Sequence, residues 1–347
     1  MYKRQLYGLY QVLARNLGLP LAYLPYLHGE PLPWSLQWGL GFAGYVRPSS
    51  FLGEPTYLGR YLVGPLLIVA TLVFTKRDKV WLFKHHRLNY GVLLILTAAL
   101  IASFALAAYF TLAFCILIVM LLDRRNCRFV FRFILTLVVV LVLLTALLQV
   151  FNVPLLQGVE KRLQRVPVTV MLGTKKGEDM DPSINTRLQE AALSLNVWLH
   201  HPFVGIGLNQ LQFIGRLYAP PDFSTWIVEL GHIHNIWLEV LVQLGAVGLL
   251  FFVLMWLRAL RMMRTVFRYG SEPMRCIGLA LSYVLFAAMI YGFEGGPFTF
   301  PLYWFYLGMA SIIHKLGREE IRRVSEQSFM SKGLRIKGTQ RGERCGS

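Results

Sequence analysis

Charge is what this sequence has least of. Only 15% of its 347 residues are Asp, Glu, Lys or Arg, against about a quarter in soluble domains. With 55% apolar side chains, that shortage excludes a single water-soluble globule. Acid is the scarcer sign, with 18 Asp and Glu against 35 Lys and Arg. Cysteine is scarce too. Of the four, Cys115 falls in an apolar run and Cys127, Cys276 and Cys345 fall within or beside basic segments, on the side read below as cytoplasmic. None lies in the long polar segments, so no disulfide framework is expected. CxxC and other zinc spacings are absent, as are internal repeats and low-complexity tracts. The first apolar segment starts within a few residues of Met1, so no secretory leader is expected. That abrupt start points to spans missing upstream.

What is present is a series of apolar runs near or above the roughly 18 residues that cross a bilayer. They predict spans over residues 5–19, 56–74, 89–103, 105–122, 129–150, 235–257, 275–292 and 299–315. The fold class is all-α, a polytopic membrane helix bundle of about eight transmembrane helices, since only helices or closed barrels satisfy their backbone in lipid. Alternate connections are strongly basic: residues 75–87, 123–132, 258–275 and the tail from Lys315. Together with the first residues they hold 25 Lys and Arg and 7 Asp and Glu, and everything else holds 10 and 11. By the positive-inside rule these connections face the cytoplasm. The net charge of +17 therefore reports topology, and nucleic acid is not an expected partner.

This arrangement places the first five spans in residues 1–150, a large outer loop in 151–233, the last three spans in 234–315 and a basic cytoplasmic tail in 316–347. The tail reads as a short helix followed by disorder. Within the outer loop, SINTRLQEAALSLNVWLHHP predicts a helix over residues 186–200. Thr186 and Gln189 have capping-box spacing, and Pro202 ends the helix.

Several residues carry candidate chemistry. In GYVRPSSFLGEPTYLGRYL, Arg47, Glu54 and Arg60 sit at or near the outer membrane face. They read either as interfacial anchors with a local ion pair, or as groups that grip phosphate through the guanidinium fork. Arg187 reads either as an i,i+3 partner of Glu190 on a solvated face, or as a charge folded back onto the membrane mouth. In GHIHNIWLEVLVQLGAVGLLFF, His232 and His234 precede a span. They read as amphipathic anchors, as a metal pair with His200 or His201, or as a general base and phosphate contact. Asn235 is placed to cap the next helix. Glu239 must face the protein interior, where a carboxylate avoids lipid. Gly205-Ile206-Gly207 reads as a turn.

Taken together, Arg187 on an outer helix, His201-Pro202, Gly205, Gly207, and then His234, Asn235, Leu238, Gly245 and Gly248 resemble the bacterial O-antigen ligase and polysaccharide polymerase superfamily. The segment RPSSFLGEPTYLGRYL resembles an early motif of its polymerases. The family often carries a Ser-Arg pair at the end of a middle span, where this chain has Ser103-Phe104. The resemblance implies a glycosyltransferase of the bacterial inner membrane, working without cofactor or metal. Its donor would be a polyprenyl-diphosphate-linked glycan, its acceptor a lipid core or a growing glycan, with membrane lipids around it. Arg187 and His234 would be catalytic, and Arg47, Glu54, Arg60, His232 and Asn235 would bind substrate. Tyr45, Trp226 and Trp237 are candidates to pack on sugar faces. The EP form of the early motif tilts toward polymerase. A transporter, which also buries Arg, His and Glu, is the alternative.

Overall fold

A computed structural model describes residues 2–17, 19, 55–74, 86–103, 105–122, 127–151, 153, 182–219, 223, 228, 231, 233–293, 295 and 300–342. The described residues form helices and no strands: α1 (Tyr2–Leu17), α2 (Pro55–Phe74), α3 (His86–Ser103), α4 (Leu106–Leu122), α5 (Cys127–Val150), α6 (Pro182–His200), the short α7 (Leu211–Ile214), α8 (Ile236–Tyr269), α9 (Glu272–Tyr291) and α10 (Pro301–Gly342). Every apolar run expected to be helical is helical. Among the described residues, four helical stretches are able by length and composition to cross a bilayer: Thr56–Phe74, Val130–Val150, Ile236–Tyr269 and Glu272–Tyr291. The apolar parts of α3 and α4, Asn89–Ser103 and Ala107–Leu117, are shorter. They are two helices rather than one long tilted rod.

Packing follows small residues and apolar stripes. α8 lies against α9 and α10, while α2 lies between α3 and α9 and also touches α4. Gly59 lets α2 approach the start of α4 closely, since a Cβ there would stand 2.4 Å from that of Ala105, just before α4, and 3.3 Å from that of Ala108. Small residues at such contacts allow dispersion to hold helices together where lipid removes the hydrophobic drive. α5 is different. It exposes Phe131, Val138, Val142, Leu143 and Leu147, a face suited to hydrocarbon.

Three boundaries differ from the sequence expectation. α6 starts at Pro182, so Thr186 and Gln189 sit inside the helix rather than at its cap. Proline at the first helical position loses only an N–H that no helix would use. α8 runs past the apolar run to Tyr269, because its basic continuation keeps an inward stripe at Trp256, Ala259, Met263 and Val266. α10 continues as helix to Gly342, where a short helix is expected. Glu319 and Arg323, at i and i+4, support that extension.

Candidate functional site

The site is built where α6 meets the start of α8. Leu193, Val197, Leu211, Val228, Ile233 and Val242 form a separate apolar cluster that holds them together. On α6 the buried positions are Glu190, Leu193, Ser194 and Val197, one helical stripe. A carboxylate therefore points into an apolar contact. It is satisfied there by one residue: Glu190 Oε2 accepts the backbone N–H of His234 at 3.0 Å, and Glu190 Oε1 faces His234 Nδ1 at 2.6 Å. Glu190 is 1% exposed and the His234 side chain 35%. The pair thus has a sealed acidic end and an accessible imidazole. With Nδ1 turned to the carboxylate, proton acceptance falls to Nε2. Hydrogen bonds to a charged group contribute about 1.5–3 kcal/mol each, and Glu190 without them would be a costly buried charge.

Asn235 fixes the imidazole's backbone. Its Oδ1 accepts from Trp237 N at 3.0 Å and Leu238 N at 3.1 Å, the N-cap expected from sequence. Arg187 is exposed on α6, three residues before Glu190 and so on the same face, a turn away. Glu190 turns inward rather than lying on a solvated face. His200 and His201 are drawn elsewhere: His200 Nδ1 lies 2.8 Å from Asn196 O and His201 Nε2 lies 2.6 Å from the Tyr218 hydroxyl.

The glycine turn does more than reverse the chain. α8 is broken at Gly245, where φ is 66° and ψ −170°. The turn splices into the break. Ile206 N donates to Val242 O at 3.0 Å and Gly207 N to Gln243 O at 2.9 Å. In return Ala246 N donates to Pro202 O at 2.8 Å and Val247 N to Phe203 O at 3.2 Å. Each broken helical bond is thereby replaced, as a buried backbone group requires. Gly205 and Gly245 both hold positive φ with no room for a side chain. A Cβ on Gly245 would lie 2.2 Å from Phe203 O, and one on Gly205 2.5 Å from Val242 O. A polar chain follows the inner side of this half-helix: Asn209 N donates to Gln243 Oε1 at 3.1 Å, and Gln243 Nε2 to Glu239 Oε1 at 3.1 Å. Glu239 is 2% exposed, inward as expected.

Arg60 stands at the same end of the bundle. Its Cζ lies 4.7 Å from the Tyr291 ring centroid, 5.3 Å from Phe300 and 5.5 Å from Tyr57. It is 6% exposed. Among the described residues its Nε and Nη1 find no hydrogen-bond partner. Gly295 leaves the guanidinium its space, and Tyr303 closes the loop by donating to Gly295 O at 2.9 Å. The same loop holds α8, since Ile236 N donates to Gly292 O at 2.8 Å. Arg60 and the His234 site therefore share one wall. Trp237 is part of that wall: it donates to Met289 O at 3.2 Å and stacks near Phe293. Arg47, Glu54 and His232, with Tyr45 and Trp226, lie outside the described residues.

Residues 91–253 match the O-antigen ligase family model. The match places this segment in the O-antigen ligase and polymerase superfamily. It takes in Arg187, the Glu190–His234 pair and both sides of the Gly245 splice, and leaves Arg60 before it. The family carries a membrane glycosyltransferase role of the ligase or polymerase type, with glycan and lipid-linked substrates in general. No curated protein matched the chain.

Sequence reasoning offered Glu190 only as an i,i+3 neighbour of Arg187 and missed its contact with His234. Its signal was available: it sits on the stripe of Leu193, Ser194 and Val197, where a surface charge has no place.

Proposed function

We propose that this protein transfers a polyprenyl-diphosphate-linked glycan to a hydroxyl of an acceptor glycan or lipid core, at the outer face of a bacterial cytoplasmic membrane. The observation that carries the reading is the Glu190–His234 contact at 2.6 Å, with Arg187 about one helical turn before Glu190 on α6. His234 Nε2 takes the proton of the acceptor hydroxyl as that oxygen attacks the anomeric carbon. The bond from that carbon to the phosphate oxygen breaks, and its electron pair leaves on the polyprenyl diphosphate. Arg187 meets the charge that grows there, with Arg47 supplying a second guanidinium. Glu190 holds the imidazole and balances its positive form. Arg60, with donors unmatched by the described protein groups, binds the donor's diphosphate or glycan, and Glu54, His232 and Asn235 are assigned to substrate binding with it.

Two further features support this reading over a transporter. The buried charged groups Arg60 and Glu239 lie at one end of the bundle with His234, rather than strung across it. In the spans, Thr71, Thr97 and Ser103 bond back to carbonyls of their own helices. The splice also leaves Leu199, Phe203 and Val204 exposed beside the exposed Val247, Leu250 and Phe251. That apolar flank gives a lipid-linked donor a route to the histidine.

The test is His234→Ala and Arg187→Ala, one at a time, in a cell that depends on this protein for its surface glycan. At normal protein level each should lower transfer about 10²-fold or more. A change in chain length identifies the polymerase form suggested by the EP motif, and a loss of attachment to lipid core identifies the ligase form. Normal glycan from both variants would overturn the reading.

A further inference from the structure

The end of the bundle away from His234 carries a groove of about 350 Å³ between α8 and α10, lined by Leu254, Arg258, Arg261, Met262, Thr265 and His314. The five α8 residues stand at i, i+4, i+7, i+8 and i+11, a single helical stripe. It covers about 16 Å of helix at 1.5 Å per residue. Its apolar start is Leu254, which is 47% exposed on the lipid-facing side of the span. Its basic part is Arg258 and Arg261, both exposed. Among the described residues no carboxylate pairs with either arginine. Thr265 spends its hydroxyl on Arg261 O at 3.1 Å. His314, half-buried, forms the facing wall from α10, and its Nδ1 is buried without a hydrogen-bond partner among the described residues.

We infer that this groove binds the headgroup of an anionic phospholipid in the leaflet at that end. Two like charges one turn apart repel each other, and a phosphate between them removes the repulsion. Guanidinium forks match paired phosphate oxygens. The volume exceeds that of a bare phosphate, and the groove runs on to Leu254 and Met262, so the ligand has an apolar part as well. Basic pockets between spans are a recurrent form of lipid headgroup recognition. The lining residues of the groove all lie after the family-matched segment, and the groove shares no residue with the proposed transfer site.

The test is native mass spectrometry of the full chain in detergent, titrated with phosphatidylglycerol and with phosphatidylethanolamine. The wild type should favour phosphatidylglycerol. Arg258→Gln with Arg261→Gln should weaken it roughly twentyfold, near fivefold per arginine. Arg264→Gln with Arg268→Gln makes the same charge change on the same helix outside the groove, and should leave affinity within about twofold. Should the groove double variant fail to fold, Arg261→Gln alone carries the test. Equal losses in both double variants would reduce the effect to general charge and overturn the site. Displacement of the lipid by millimolar inorganic phosphate would assign the groove to free anion and overturn the lipid.

Discussion

At the scale of single residues, the site turns on how one carboxylate is used. A glutamate on an exposed helix face contributes little, whereas Glu190 is sealed and spends both oxygens on His234. Glu190→Gln keeps the shape and can still accept the backbone N–H, but removes the negative charge behind the imidazole. Transfer by the purified protein should fall about 10²-fold, with the folded fraction unchanged. A variant as active as the wild type would make the contact purely structural. His234, Asn235 and Arg187 were legible because a histidine-asparagine pair at the mouth of an apolar run, and an arginine on an outer helix, stand out against a sequence poor in charge. Glu190 was not, because its direction depends on which stripe of α6 is covered.

At the scale of elements, the break in α8 is the feature on which the site rests. The turn from Pro202 to Gly207 is a stretch of backbone that repairs a helix elsewhere, and it ties α6 to α8 at the same time. Gly245→Ala places a side chain at positive φ and against Phe203 O, so it should destabilise the protein by roughly 2 kcal/mol or more. Gly91→Ala meets nothing within 4 Å and should be neutral or gain roughly 0.5–1 kcal/mol. Thermal unfolding followed by thiol-dye reaction of the buried Cys115 and Cys276 compares the two. Similar curves for both variants would show that the break carries no stability. Hydropathy located the helix but passed over its break, since Gly245 lies within an apolar run that reads as continuous.

At the scale of the whole molecule, the two ends of the bundle differ in chemistry. One end gathers Arg60, Glu190, His234 and Glu239. The other carries Arg258, Arg261, Arg264, Arg268 and Arg275 with the start of the basic tail. By the positive-inside rule we propose that the second end faces the cytoplasm. In a chain stripped of its own cysteines, Asn185→Cys should react with an impermeant thiol reagent on intact cells, once any outer membrane is opened to it. Tyr269→Cys should react only after the inner membrane is opened. The reverse pattern would invert the bundle and remove the proposed outer-face transfer.

The sequence by itself determined that the chain is helical and membrane-bound, because apolar runs of span length with basic connections between them have few other solutions. It also pointed to the family that residues 91–253 match, and to Arg187 and His234 as candidates for the proposed transfer, through spacing that local structure imposes on the chain. Only the tertiary structure decided which groups meet: Glu190 with His234, the glycine turn with the break at Gly245, Arg60 with its three rings, and the arginine stripe with His314. These are contacts between segments far apart in the chain, and the periodicity of one helix says which face is apolar without saying what will cover it.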